Sequence, residues 1–218
     1  MPGADAPNFV ALFGLIILTG LLPFIVVATT SFAKIAVVLF IVRNALAIQQ
    51  APPNLVLYGI TIILTSYIMA PAFSQIYVAA TDPRANYQTF EGIQRVAKTA
   101  SEPVRQFMTK HTVERDRNFF VQTADKIWKD SAVPLPQPTD FVILVPAFLS
   151  SELSKAFQIG FLLYLPFVMI DFAISAILVA LGMQMMSPTV ISTPLKLLLF
   201  VLVEGWLRLL QGLILSYT

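Results

Sequence analysis

The sequence has no cysteine, one histidine and few charged residues, and each shortage excludes a class of chemistry. Without cysteine, the 218-residue chain can form no disulfide, thiolate metal site or cysteine nucleophile. Asp, Glu, Lys and Arg make up 12% of the chain, whereas an ordinary soluble domain carries about a quarter. Hydrophobic residues make up 57%, and the mean hydropathy is +0.78. This composition is typical of a membrane protein.

The charged residues that do occur are concentrated in the middle of the chain. Of the 26, 17 lie in residues 81–140, and none lies in residues 44–80. The sequence therefore predicts a hydrophobic block at 1–80, a polar insert at 81–140 and a second hydrophobic block at 141–218. The insert has nine basic and eight acidic side chains, so it offers no basic patch for nucleic acid.

Long apolar runs in both blocks predict an all-α fold of helical hairpins in a membrane, because about 20 apolar residues cross a bilayer core. The expected segments are Phe9 to Ala28, Thr29 to Ile48, Leu55 to Ala80, Phe141 to Leu149, Ala156 to Met186 and Leu195 to Tyr217. The first has no basic head, so we interpret it as a retained helix and not a cleaved signal. Lys34 and Arg43 indicate that the second is shielded by protein or lies near an interface.

Apolar residues of the polar insert recur at three- and four-residue steps, which is the period of an amphipathic helix. Ser101 to Pro103 predicts a break and restart, with Ser101 as a helix N-cap. A second helix is expected from about Arg117 to Lys129. The prolines at 134, 136 and 138 predict an extended connection back to the membrane block.

No motif in the sequence points to catalysis or to a cofactor. A glycine-rich phosphate loop is absent, and no serine lies in a nucleophile-elbow context. His111 has no plausible set of metal-ligating partners, and we interpret it as a solvated residue of the insert. The sequence therefore predicts a protein that is not an enzyme and binds no metal.

Six charged residues interrupt the second hydrophobic block, where ionisable side chains usually face a bundle interior or an aqueous cavity. They are Glu152, Lys155, Asp171, Lys196, Glu204 and Arg208. Glu152 and Lys155 are three residues apart and can pair on one helical face. For Asp171 and Glu204 the other two cations are candidate partners, and spacing does not decide which pairs form. We favour structural or intersubunit ion pairs over a proton or ion relay.

Three methionines, Met183, Met185 and Met186, lie between a glycine and a proline, which favours a loop or helix break. Methionine side chains are flexible and repack readily. In a ring of subunits they could seal a pore and still yield to a passing chain. On composition alone, packing in a core at a helix end is the simpler interpretation.

Ordered motifs along nearly the whole chain resemble the SctR/FliP inner-membrane proteins of type III secretion systems. In the second block these are Val145-Pro146-Ala147-Phe148, Ser151-Glu152-Leu153, Ala156-Phe157-Gln158-Ile159-Gly160-Phe161, Tyr164-Leu165-Pro166-Phe167, Ile170-Asp171, Pro194-Leu195-Lys196 and Glu204-Gly205-Trp206. In the first block they are Thr30-Ser31-Phe32, Arg43-Asn44-Ala45-Leu46, Gln49-Gln50 and Pro52-Pro53-Asn54.

The resemblance implies a pentamer in the bacterial inner membrane that assembles with S-type and T-type export proteins and with the U-type switch protein. Such a ring lies among membrane lipid, projects to the periplasmic side, passes unfolded secreted proteins and does not hydrolyse ATP. The polar insert would be periplasmic.

A methionine-rich loop of the family lines a gasket at the narrowest part of the pore. This role carries over to Met183, Met185 and Met186, although Gln184 interrupts the usual methionine run. Flagellar members commonly have a cleaved leader, so the short N-terminus favours the injectisome branch. A small-solute or proton-coupled transporter, with Asp171 and Glu204 as its working groups, is the alternative.

Overall fold

The computed structural model describes residues 9–48, 51–82, 89–129 and 134–218, and every regular element in these ranges is an α-helix. The helices are α1 (Phe9–Thr29), α2 (Phe32–Ala45), α3 (Asn54–Ala80), α4 (Phe90–His111), α5 (Glu114–Ile127), α6 (Phe141–Ala180), α7 (Pro188–Leu202) and α8 (Gly205–Leu215). The predicted all-α fold is confirmed.

Within the described ranges, two helices, α3 and α6, are long and apolar enough to cross a membrane. Two bent pairs, Thr19–Thr29 of α1 with α2 and α7 with α8, pass the same test when each pair is taken together, and they bend by 72° and 62°. Length and composition therefore allow between two and four membrane spans.

Threonine hydroxyls mark the bend between α1 and α2. The hydroxyl of Thr29 donates to the carbonyl of Ile25 at 2.8 Å, and that of Thr30 donates to the carbonyl of Val26 at 2.6 Å. Hydroxyls that bond back to the preceding turn often bend a helix. α2 therefore begins at Phe32, three residues later than the sequence predicts.

The polar insert contains two helices, and the first is longer than predicted. The expected break at Ser101 to Pro103 is wrong, because α4 continues through these residues. The hydroxyl of Ser101 donates to the carbonyl of Lys98 at 2.9 Å and caps no new helix. α5 begins at Glu114, close to the predicted second helix.

Packing against α6 explains why α4 continues past its proline. Met108 of α4 and Leu144 and Phe148 of α6 are fully buried together, with Val104 and Phe107 packed against them. These contacts stabilise the part of α4 that follows the proline. They offset the backbone hydrogen bond that a proline removes from a helix interior.

The 40 residues of α6 form one helix, about 60 Å long at 1.5 Å per residue. The predicted division into Phe141 to Leu149 and Ala156 to Met186 is wrong. Ser151 and Glu152 lie in the supposed gap, but they are fully buried and bond to side chains of α5 and α2. Their polarity marks a buried polar face of α6, not the end of a helix.

The hydrophobic core is centred on α2, which packs against α3 and α6. Its buried members are Ile35, Val38, Leu39, Val42, Ala45, Leu46, Leu57, Leu64, Ala156, Phe167, Phe200, Leu209 and Leu213. α6 lies close against α2 at Gly160, where an added Cβ would lie 2.4 Å from Cδ1 of Ile41. The absence of a side chain at Gly160 therefore allows α6 and α2 to pack this closely.

The outer faces of α1, α3 and α6 expose large apolar side chains. Examples are Phe24, Leu55, Phe157, Phe161 and Phe172. Soluble monomers rarely expose contiguous apolar patches of this kind. These faces therefore require lipid or other protein against them.

The chain bends between α7 and α8 at Val203 to Gly205, which we call the elbow. The sequence predicts Leu195 to Tyr217 as one interrupted segment, whereas the structure has two helices here. Glu204 has a φ of 54°, which non-glycine residues rarely adopt. At Gly205 an added Cβ would lie 2.4 Å from the ring of Phe200. The absence of a side chain at Gly205 is therefore needed for this bend.

Replacing Gly205 with alanine should destabilise the protein by about 1 to 3 kcal/mol, because the new methyl group overpacks against Phe200. The matched control is Gly212→Ala in the same helix, where nothing lies within 4 Å of an added Cβ. Alanine there should be neutral or stabilising by up to about 1 kcal/mol. Thermal unfolding in detergent measures both, and equal melting temperatures for the two variants would contradict the packing argument.

Candidate functional site

The methionine segment forms a tight turn between α6 and α7. Gly182 has a φ of 75°, the left-handed conformation that ends many helices. The amide of Met183 donates to the carbonyl of Leu178 at 2.9 Å, and that of Gly182 donates to the carbonyl of Val179 at 3.0 Å. Pro188 then begins α7. We call residues 182–187 the methionine turn.

The methionine side chains of this turn point away from the core of the single chain. Met185 is fully exposed at 102%, and Met183 and Met186 are 40% and 41% exposed. Their backbone is held by the hydrogen bonds of the turn, while their side chains remain free to repack. Such a cluster can make an adaptable apolar contact with another molecule.

A buried carboxylate, Glu152 of α6, joins several elements. Its two oxygens lie 3.4 Å from Nζ of Lys34 and 3.2 Å from Nζ of Lys155. The hydroxyl of Tyr217 also donates to it, and Nζ of Lys34 lies 3.4 Å above the ring of that tyrosine. Glu152 and Lys34 are 0% and 1% exposed. A charge buried this deeply is tolerated because each group has partners of opposite charge or polarity.

The same region of α6 holds the polar insert. The ammonium group of Lys155 donates to the carbonyl of His111 at 2.6 Å. The hydroxyl of Ser151 donates to Asp116 at 2.8 Å and accepts from the amide of Val113 at 3.0 Å. These bonds join the end of α4 and the start of α5 to the first half of α6.

His111 is part of this cluster, so its interpretation as a solvated residue is wrong. It is half-buried, and its ring lies 4.7 Å from that of Phe107 and 5.0 Å from that of Tyr217, between centroids. Burial lowers the pKa of His111 from 6.5 to about 4. Glu152 opposes this shift in pKa, and the positive charges of Lys110, Lys155 and Lys34 add to it.

A second ion pair lies nearer the methionine turn. Nζ of Lys196 in α7 is 2.6 Å from Oδ2 of Asp171 in α6, and it also donates to the carbonyl of Ala45 at 3.2 Å. The other oxygen of Asp171 accepts from the hydroxyl of Ser192 at 2.6 Å. This network fixes α7 against α6 and against the end of α2.

The six charged residues singled out from the sequence therefore fall into three groups. Glu152 pairs with Lys155, and Asp171 pairs with Lys196. In the part of the chain that the structure describes, Glu204 and Arg208 form no ion pair and are exposed.

Sequence reasoning missed Lys34 and Tyr217 as partners of Glu152. Lys34 stands in an apolar helix, where a charged side chain is unfavourable unless it has a partner, and this indicated that a partner exists. Sequence spacing could not identify Glu152 as that partner, because the two residues are far apart in the chain. No group of three or more His, Cys, Asp or Glu residues in the described ranges could hold a metal ion.

The sequence model of the FliP family matches residues 15–213. The chain belongs to the FliP family. The resemblance found in the sequence motifs is confirmed, and similar proteins align with this chain over nearly their full lengths.

Three of these relatives are similar along the whole chain. The probable translocation protein y4yL of Sinorhizobium fredii is 49% identical, over 97% of this chain and 96% of that protein. The Yop proteins translocation protein R of Yersinia pestis is 44% identical, over 97% of each chain. The virulence protein YscR of Salmonella typhimurium is 42% identical, over 98% of each chain.

In this FliP-family chain, Lys34→Met should lower the free energy of unfolding by about 3 to 5 kcal/mol, because it leaves the carboxylate of Glu152 buried without its fully buried cation. The control is Lys155→Met. Lys155 is 34% exposed, so its loss should cost about 1 kcal/mol or less. Chemical denaturation in detergent compares the two, and a larger loss for the Lys155 variant would contradict the assignment of Lys34 as the main partner.

Stability should fall as the pH drops from about 6.5 to about 4. Over that range the unfolded chain binds a proton at its histidine, whereas the lowered pKa of His111 keeps the folded chain from binding one. His111→Phe removes the titrating group and should flatten this part of the profile. Melting temperatures of both proteins between pH 4 and 8 provide the measurement, and parallel profiles would show that another group is responsible.

Proposed function

We propose that this chain is the core export-gate subunit of a type III secretion system of the injectisome type. Its FliP-family membership and the names of its relatives, which refer to translocation and virulence, support this function. In this proposal the chain forms a pentameric ring with S-type and T-type partners and meets the U-type switch protein. The ring is a channel for unfolded secreted proteins across the bacterial inner membrane.

The exposed methionine turn is the observation that carries the proposal. The side chain of Met185 is fully exposed, and those of Met183 and Met186 are partly exposed. Five such turns around an axis would form an apolar ring of soft side chains. An unfolded substrate has no fixed shape, so a seal of flexible methionines can close around many sequences and relax when the chain has passed.

The exposed apolar faces of α1, α3 and α6 support a membrane location with several subunits in contact. Lipid covers part of this surface, and copies of the chain and its partners cover the rest. The polar insert lies on the periplasmic side in this arrangement. α6 is about twice as long as a bilayer core is thick, so the half that binds the insert extends beyond the lipid.

The ion pairs have a structural role in this proposal. Asp171 already binds Lys196 and Ser192, and Glu152 binds Lys34, Lys155 and Tyr217. A proton relay would require acids that are free to change partners. Because Asp171 is held by two partners, a relay through Asp171 and Glu204 is disfavoured, and in this proposal the chain is an export gate with no enzymatic role.

Replacing Met183, Met185 and Met186 with alanine should leave assembly intact and make the inner membrane leaky to ions and small solutes. The shorter side chains can no longer fill the pore axis. Met169→Ala is the control, because Met169 is an exposed methionine of α6 outside the turn. Uptake of a small impermeant dye by intact cells measures the leak. An assembled triple variant with no more leak than the Met169 control would remove the gasket role.

A further inference from the structure

An open apolar cavity lies beside the elbow. It has a volume of about 510 Å³ and is bordered by α2, α6, α7 and α8. Leu163, Phe167, Phe200 and Leu209 are among its lining residues, and Arg208 is the charged residue in the lining. A cavity of this size and character is within the range that binds other molecules or side chains.

Most charged residues of the described hydrophobic blocks form ion pairs, and Arg43, which does not, donates to Asn54 and lies over the ring of Phe40. Lys34, Glu152, Lys155, Asp171 and Lys196 all form ion pairs within the chain. In the described residues, the exposed Glu204 and Arg208 form none. They lie one helical turn apart, since the amide of Arg208 donates to the carbonyl of Glu204 at 3.1 Å.

Lys196 of the bent pair α7–α8 has its partner in Asp171, whereas Glu204 and Arg208 need a partner from outside the described chain. Ionisable groups on such segments are costly against lipid and normally find a partner of opposite charge. A lipid phosphate would bind Arg208 but would repel Glu204. In a ring of copies each chain has two neighbours, so its Glu204 can pair with Arg208 of one neighbour and its Arg208 with Glu204 of the other.

We propose that the elbow and its cavity are the contact with a neighbouring copy of this chain, in which Glu204 of one copy pairs with Arg208 of the next. An apolar segment of that neighbour fills the cavity. The contact is heterologous, because different residues of the two copies meet, and contacts of this kind generate rings. The inference rests on the proposed ring and adds to it the surface and the ion pair through which copies recognise each other.

Charge reversal tests the pair. Glu204→Arg and Arg208→Glu should each reduce the share of chain found in the oligomer by about tenfold, the effect of like charges facing each other in a desolvated contact. The double variant should restore it, because the pair is re-formed with opposite polarity. Co-expression of the two single variants should restore contacts between unlike copies, since each supplies the charge that the other needs, and a five-membered ring of the two keeps at least one like-charged contact, so recovery should be partial. Native mass spectrometry of the detergent-purified protein reports the share of oligomer.

Cross-linking tests the proximity directly, because the chain has no cysteine and any introduced thiol is unique. Glu204→Cys and Arg208→Cys are placed in copies with different tags and treated in membranes with a short two-headed thiol reagent. An Arg–Glu pair can hold backbones farther apart than a disulfide allows, so a spacer is needed. A product with both tags is expected. The control pairs Glu204→Cys with Leu207→Cys, an exposed neighbour on α8, and should give much less product.

The outcomes separate this inference from the proposed function. Normal oligomers in both charge-reversed variants, or an equal product with the Leu207 control, would overturn the elbow contact while leaving the export gate intact. Loss of bound phospholipid in Arg208→Glu, with oligomers unchanged, would assign the cavity to lipid and also overturn it. If the unaltered chain forms no oligomer with or without its partners, the proposed function itself fails.

Discussion

The fold depends on compensating one buried negative charge, that of Glu152. A carboxylate without solvent is stable only when cations and hydrogen-bond donors surround it. Lys34 comes from α2, Lys155 from α6 itself and Tyr217 from beyond α8. The need to satisfy this one group therefore holds together segments from both hydrophobic blocks.

The polar insert is joined to the hydrophobic helices through the same region. Lys155 binds the carbonyl that ends α4, and Ser151 binds Asp116 at the start of α5. A short apolar cluster around Met108 and Phe148 supports these bonds. The insert is therefore held to α6 by specific polar and apolar contacts, and it does not pack independently of the hydrophobic helices. Several of the few charged residues in this chain therefore have a specific role, which is to hold the insert to α6.

The sequence predicted helices, the polar insert and the methionine turn, because these depend on composition and on local residues such as Gly182 and Pro188. It indicated that charged residues such as Lys34 and Glu152 would be shielded, but it could not predict which uncharged polar residues would be buried. The predictions that Ser101 caps a helix and that Ser151 lies between two helices were wrong. A polar residue in a sequence is compatible both with a loop and with a buried polar contact, and the sequence does not distinguish them. The pairing of Lys34 with Glu152 was also out of reach, because it depends on how α2 packs against α6.

The close approach at Gly160 has a mechanical consequence. Gly160 lies at the midpoint of α6, where the helix rests against Ile41 of α2. The methionine turn follows one end of α6, and the insert packs near the other. In the proposed ring, a tilt of this continuous helix about that contact would widen the space between the methionine turns and move the opposite end inward. Opening of the proposed pore and rearrangement of the insert would then be parts of one motion.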